Sequence, residues 1–408
     1  MLRNGSTPIW SDSIIGKENN ILIAKIKNIK KENLLNTESN VSERYAEGAI
    51  EVQESLCCPV DYDAALLKIL PKEIIDKDYG CGDPSRYVRE GDTVLDLGSG
   101  GGKICYMAAQ LVGEKGLVIG IDMTDEMLAL ARKYQHEMAQ KLGGDKVQFH
   151  KGYIQDLALD LAAREAYLAS NDSQDEEAVS EWEKQQKQTN PLINDSSVDI
   201  VVSNCVLNLV DEKHRTQMIA EIFRVLKPGG RVAISDIVSD EIVPQHLKED
   251  THLWSGCISG AFQEQQFAQV FLDAGFADVS YDKWDEAPWQ TVEGIEFRSV
   301  TVLASKPDTG NEDKGHTVIY RGPFAELKND QGLVFSRGAR VAVSREEFSQ
   351  LQNGPANESF LFIAAEDAAT NDGYLDINRV RVAAENKGQR HFSGSAGSTS
   401  ENKNSGCC

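Results

Sequence analysis

The sequence has no apolar run approaching the roughly 18 to 20 residues that span a bilayer. Its opening stretch holds only isolated apolar side chains, so no secretory signal is expected. Positive charge is short: 42 Lys and Arg face 64 Asp and Glu, a net charge of -22. That balance repels phosphates, so nucleic acid is not expected as a partner, and the lack of a long apolar run leaves no membrane expected either. Cysteine is too sparse for a disulfide scaffold, with eight in 408 residues. Such thiols read as reduced, metal-binding or catalytic groups in a reducing compartment, which makes the cytoplasm the expected location. No C-x-x-C pair occurs, which weakens a structural zinc. No internal repeat is present either. What remains is 41% hydrophobic residues. The length accommodates a main domain of roughly 250 residues and smaller units beside it.

Residues 1–45 read as a weakly ordered extension, locally basic, whose ILIAKIKNI stretch alternates like an edge strand. From Thr93 the pattern changes. TVLDL, LVIGI, VQFH, VDIVVS and RVAISD are short apolar runs, and the first two and last two are separated by stretches with helical spacing. Asp125 is placed to cap the helix bearing Leu128, Ala131, Tyr134 and Met138. Strands alternating with helices predict an α/β fold, a Rossmann-like parallel sheet with helices on both faces, over residues 46–306. Residues 158–197 interrupt it with a polar, acidic insertion, expected to be part helix and part disordered. Short strand patterns over 315–365 predict a small C-terminal β unit. Residues 366–408, ending in Cys407-Cys408, read as a flexible tail.

The strongest local signal is Asp96-Leu97-Gly98-Ser99-Gly100-Gly101-Gly102, at the end of the first strand. Glycines let the backbone turn tightly and a ligand approach closely. Asp122 lies just after the second strand, where an acid accepts the hydroxyls of a bound ribose. A dinucleotide is the rival ligand, but Lys103 breaks the G-x-G-x-x-G spacing. Asp96 would also repel a pyrophosphate, whereas it suits the ammonium of a methionyl group. S-adenosylmethionine is the better fit.

Three cysteines fall in separate Gly-rich or strand-end loops: Cys81 in YGCG, Cys205 in SNCVLNLV and Cys257 in WSGCISGA. Ligands of an open α/β sheet bind at the carboxyl ends of strands, where Cys205 stands. Trivalent arsenic is soft and trigonal. Three thiolates fill its bonds and leave its lone pair to attack a sulfonium methyl. The competing reading is that each is a small buried hydrophobe, as is expected of Cys105. Asp236 is the candidate acid nearest the acceptor. His214 is assigned to a solvated helix start, which leaves no convincing base for an alcohol or amine.

At YGCG, LDLGSGGGK, CYMAAQLVGEKGLVIGIDMTDEML, GYIQDL, SNCVLNLV, FRVLKPGG and WSGCISGA the chain resembles the arsenite S-adenosylmethionine methyltransferases. The resemblance covers residues 50–305 and implies the class I methyltransferase fold. It implies that Cys81, Cys205 and Cys257 handle arsenic, with Cys58 or its neighbour Cys57 as a further relay thiol. It places Tyr79, Asp96, Gly98, Gly100, Asp122, Met123, Ile154 and Asn204 at cofactor contacts. It implies arsenite as substrate, with glutathione or thioredoxin as reductant. Cys407 and Cys408 resemble the vicinal cysteine tails of some bacterial members. A methyltransferase acting on an organic acceptor stays open as the alternative, and so does metal sequestration by the thiols.

Overall fold

The computed structural model describes residues 38–53, 60–171, 175–307, 313–365, 375, 378–386 and 391–393. The edge-strand stretch near residue 25, Cys57, Cys58, Cys407 and Cys408 lie outside them.

The first strands are β1 (Thr93–Leu97), β2 (Leu117–Asp122), β3 (Val147–Lys151), β4 (Val198–Asn204) and β5 (Leu226–Ser239). Then come β6 (Phe262–Gln263), β7 (Ala277–Trp284), β8 (Gln290–Val292) and β9 (Ile295–Ser305). They form one nine-stranded sheet of order β3-β2-β1-β4-β5-β9-β7, with β6 beside β5 and β8 beside β9. Strands β1 to β5 pair in parallel, and β9 runs antiparallel to both β5 and β7. Because β1 lies between β2 and β4, the chain winds outward in opposite directions from it. The crevice above such a switch point is where open α/β sheets bind ligands.

Side-chain alternation along each strand builds the two layers. In β4, Val201 packs with Met218, Ile222, Phe267 and Phe271 on one face. Its neighbours Ile200 and Val202 pack with Tyr106, Met107, Leu128 and Ala131 on the other. Near-continuous apolar strands are expected of a sheet covered on both sides.

Local chemistry departs from the sequence reading in several places. Thr124 occupies the N-cap position of the helix Asp125–Lys133 without a side-chain capping bond, and Asp125 is its first residue. Asp125 instead pairs with Lys151 at 2.6 Å. The insertion holds two helices, Leu161–Ser170 and Glu176–Thr189, each with an Asp at its N-cap. Tyr167 stacks on Trp182 at 4.6 Å, and Arg164 pairs with Glu183 at 2.5 Å. Its ends meet where Leu192 and Ile193 donate to the carbonyls of Ala158 and Leu157. Residues 38–50, partly assigned above to a weakly ordered extension, are helical.

The C-terminal strands are β10 (Thr317–Tyr320), β11 (Glu326–Lys328), β12 (Val334–Ser336), β13 (Arg340–Ala342), β14 (Phe360–Ile363) and β15 (His391–Ser393). A four-stranded sheet of order β13-β10-β14-β15 packs with the helix Arg345–Asn353 through Phe348, Phe360 and Phe362. Strand β15 and Arg379, paired with Asp313 at 2.7 Å, extend this unit past residue 365, into the stretch read as a tail. Pairing at that sequence distance leaves no local trace.

Candidate functional site

The glycine loop turns off β1 immediately above the switch point. Gly98 has φ 68°, and a Cβ there would lie 2.5 Å from Val206. Only glycine lets the loop pass so close to the end of β4. Asp122, at the end of β2, fixes the loop from the side. Its Oδ2 accepts the Gly100 N–H at 2.9 Å and its Oδ1 the Thr124 N–H at 2.8 Å. Burial raises the Asp122 carboxyl above the usual aspartate range, against the pull of those donors. Asp96 is buried, and burial pushes its carboxyl up to about 7, with the Asp122 and Asp78 charges adding to the rise. Cys105 is buried in the apolar core, as expected, and its thiol donates to Asp96 Oδ2 at 3.2 Å. Lys103, the residue that spoils the dinucleotide spacing, pairs with Asp78 at 2.9 Å while buried. It ties the glycine loop to the YGCG loop.

These elements wall a cleft of about 1000 Å³, counted out to its open mouth. All eight residues expected at the cofactor, Tyr79, Asp96, Gly98, Gly100, Asp122, Met123, Ile154 and Asn204, line it. So do Glu38, Val41 and Tyr45 of the 38–50 helix, which sequence reasoning missed. That helix is anchored over the cleft. Arg44 donates to the His252 carbonyl at 2.7 Å and to Ser255 at 2.6 Å, and Gln155 donates to Glu38 at 2.8 Å. Tyr45 meets Tyr79 edge to face at 6.0 Å.

The Asn204 amide has another task as well. Its Oδ1 accepts the N–H groups of Cys81 and Gly82, each at 2.9 Å. Its Nδ2 donates to the Gly82 carbonyl at 2.8 Å and to Tyr62 at 3.1 Å. A Cβ on Gly80 would lie 1.9 Å from Asn204 Nδ2, and one on Gly82 would lie 2.3 Å from Ser235 Oγ. The glycines of YGCG therefore let Asn204 clamp the Cys81 backbone onto the end of β4.

Cys205 follows Asn204 directly, with φ 65° and its N–H on the Ser235 carbonyl at 2.8 Å. Its sulfur, that of Cys81 and a carboxylate oxygen of Asp236 all lie within 4.8 Å of one another, and all three residues are buried. Cys257 stands beside this group at φ 61° and points its thiol at the Cys205 carbonyl, 3.1 Å away. Two of the three expected thiols thus converge, while the third meets the Cys205 backbone and lies outside the 4.8 Å group. Two non-glycine residues in the left-handed region at one site is strain of the kind that surrounding structure must hold in place. Burial also raises the Asp236 carboxyl to about 7, against donors from Ile237, Asn208 and Leu207. His214 begins the helix Glu212–Val225 but is half-buried, with an Nε2 that has no partner among the described residues. It is not among the cleft-lining residues.

A parallel sheet reversed at β9, a glycine loop held between a buried acid and a half-buried one, and a cleft at the switch point define a class I methyltransferase. The description "Methyltransferase domain" fits residues 89–275 by family comparison, and a domain of unknown function (DUF8838) matches residues 307–391. The arsenite methyltransferase of Aquipseudomonas alcaligenes is 34% identical over 286 residues, covering 67% of this chain and 73% of its own length. That of Homo sapiens is 32% identical over 307 residues, covering 72% of this chain and 73% of its own. The chain belongs to the arsenite methyltransferase family. A crystal structure of an arsenic(III) S-adenosylmethionine methyltransferase from Chlamydomonas reinhardtii is 27% identical, with a TM-score of 0.49, and matches 78% of this chain and all of its own. No helix among the described residues is long and apolar enough to cross a membrane.

Proposed function

We propose that this chain methylates trivalent arsenic, with S-adenosylmethionine as methyl donor and cysteine thiolates as the acceptor's anchors. The observation that carries the reading is the convergence of the Cys81 and Cys205 sulfurs beside Cys257, with Cys205 itself lining the glycine-loop cleft.

The cleft residues fit the donor. Ser99 Oγ is buried with no partner among the described residues, in a loop whose neighbours Gly98 and Gly100 line the cleft. A buried hydroxyl left without a partner is uncommon unless a ligand supplies one. Asp122 would hold the ribose hydroxyls with the lone pairs that Gly100 and Thr124 leave open. Asp96 would face the ammonium, with Met123 and Ile154 on the adenine and Tyr79 closing the side. The donor supplies a methyl group on a sulfonium, which a lone pair in line can take.

The protein's own contribution is loading and alignment. Arsenite carries three hydroxyls. Each thiol that joins the arsenic forms one As–S bond, and its proton leaves with a displaced hydroxide as water. After three exchanges by Cys81, Cys205 and Cys257 the lone pair is the remaining nucleophile, and no base is needed. Holding it opposite the sulfonium is a positioning effect, worth several kcal/mol of barrier. Transfer oxidises the arsenic, so a thiol reductant such as glutathione or thioredoxin must restore the trivalent state. Such thiols are maintained in the cytoplasm, where we place the enzyme. Cys58 would serve as a relay thiol.

Mass spectrometry of the products from purified protein, S-adenosylmethionine, thiol and arsenite tests this. Methylated arsenicals are expected. Cofactor binding without any methylated arsenical would move the assignment to an organic acceptor.

A further inference from the structure

The Cys205 and Cys257 loops meet on a buried polar network that borders the thiols and is bonded mainly to the loops themselves. Asp236 stands on β5, one residue past the pairing of Ser235 with Asn204. Its Oδ2 accepts the N–H groups of Leu207 at 2.9 Å and Asn208 at 3.3 Å. Its Oδ1 accepts the Ile237 N–H at 2.8 Å and the Asn208 side-chain amide at 2.7 Å. Asn208 is fully buried. It gives a second amide bond to the Ile237 carbonyl at 2.6 Å, and its Oδ1 accepts the Phe262 N–H at 3.3 Å.

Phe262 ends the loop that carries Cys257. Within that loop Gly260 lies so close to Asn208 that a Cβ would sit 2.1 Å from the Asn208 carbonyl oxygen. Arg215 closes the circuit. It donates to the Gly260 carbonyl at 2.5 Å and lies over the Phe262 ring at 4.2 Å. One amide side chain therefore bonds the strand, the Cys205 loop and the Cys257 loop together.

Apolar side chains could fill this space with equal or greater stability, because buried polar groups gain little over well-packed hydrophobes. What they could not do is fix register, since hydrogen bonds are directional and dispersion is not. Register matters here because Cys205 and Cys257 come from loops that are far apart in sequence and both sit at left-handed φ. Metal-binding groups work only when their supports place them to within about half an ångström.

We propose that Asp236 and Asn208 are positioning residues that set the Cys257 loop against the Cys205 loop, so that the third thiolate reaches the arsenic. The proposal rests on the three-thiolate reading above.

The test is arsenite titration of the full chain in a background, called wild type for this test, with Cys57, Cys58, Cys407 and Cys408 each changed to Ser, followed by the near-ultraviolet absorbance of arsenic–thiolate bonds per arsenic bound. Wild type calibrates three thiolates and Cys257→Ser two. Steady-state arsenite kinetics, cofactor affinity and thermal melting accompany it. Asn208→Ala is expected to keep cofactor affinity, to drop to the two-thiolate absorbance, and to lose about 10- to 100-fold in rate at saturating arsenite. Gly260→Ala retains every hydrogen-bonding group and only pushes the loops apart. It is expected to show the same absorbance loss, and it decides the matter if Asn208→Ala does not fold. A merely structural network would lower the melting temperature and leave the absorbance per arsenic at the wild-type value in the folded variant, which would overturn the proposal. A wild type that itself lacks the three-thiolate signal would instead refute the three-thiolate reading, and the positioning role with it.

Discussion

Replacing Cys205 by glycine separates its chemistry from its contribution to the fold. Cys205 is held at φ 65° and is 3% exposed. A non-glycine residue in that region is disfavoured by roughly 1 to 2 kcal/mol, which glycine recovers. Against this stand two losses: about 1 kcal/mol for the buried CH₂–SH group, and about 0.5 to 1 kcal/mol for the looser unfolded chain. The sum is near zero, so Cys205→Gly should melt within about 3 °C of wild type. Calorimetry should find cofactor affinity unchanged, because the walls that carry Asp96 and Asp122 are untouched. Arsenite methylation, followed by mass spectrometry of the arsenicals, should fall at least about 100-fold, equivalent to roughly 2.7 kcal/mol of barrier. Cys205→Ser should be equally inactive, since its hydroxyl is hard and stays protonated near neutral pH where a thiol ionises on meeting a soft ion. Near-normal methylation by either variant would end the three-thiolate model. A glycine variant several kcal/mol less stable would show that the thiol is a packing group after all.

Asp122→Ala should weaken S-adenosylmethionine binding by about 1 to 3 kcal/mol in calorimetry. Because that carboxylate also holds the Gly100 and Thr124 N–H groups, the melting temperature should fall with it, and an unchanged affinity would remove the ribose from this residue. Asp96 keeps its proton up to about pH 7 when folded, against an ordinary aspartate value near 3.8. Its contribution to stability is therefore full below about pH 4 and lost as pH rises toward about 7, and Asp96→Asn should flatten that part of the apo-protein's melting profile. Binding of the cationic donor should strengthen across the same rise, as the carboxylate forms, and a pH-independent affinity would argue against an Asp96–ammonium contact. Truncation after Ser400, which removes Cys407 and Cys408, should raise the arsenite concentration needed and leave the saturated rate nearly unchanged. A large fall in that rate would bring the tail into the active site.

The α/β class and the positions of the first five strands along the chain were legible because apolar runs, helical periods and the glycine loop are local signals. The two acids that line the cleft were legible for the same reason: Asp96 stands one residue before the end of β1 and Asp122 ends β2, and strand ends can be read from a run of residues. YGCG, SNCVLNLV and WSGCISGA marked the thiols, and their glycines and Asn204 turn out to be the clamp that seats Cys81. Other features depend on residues that only the fold brings together. Nothing near Asn208 in the sequence says that Phe262 will need its oxygen, or that Gly260 must lie against its carbonyl. The 38–50 helix covers the cleft through Arg44 bonds to the short helix Thr251–Ser255, some two hundred positions away. Strand β15 joins a sheet whose other members end before residue 365. The sequence by itself determined which chemical groups the protein has and on which kinds of element they sit, because periodicity and turn chemistry act over a few residues. Only the tertiary structure decided that Cys81 and Cys205 come within 4.8 Å of each other. That distance is set by the Asn204 amide, which bonds the Cys81 and Gly82 backbone, and by the Cys205 N–H on Ser235, between segments that meet only once the sheet has closed.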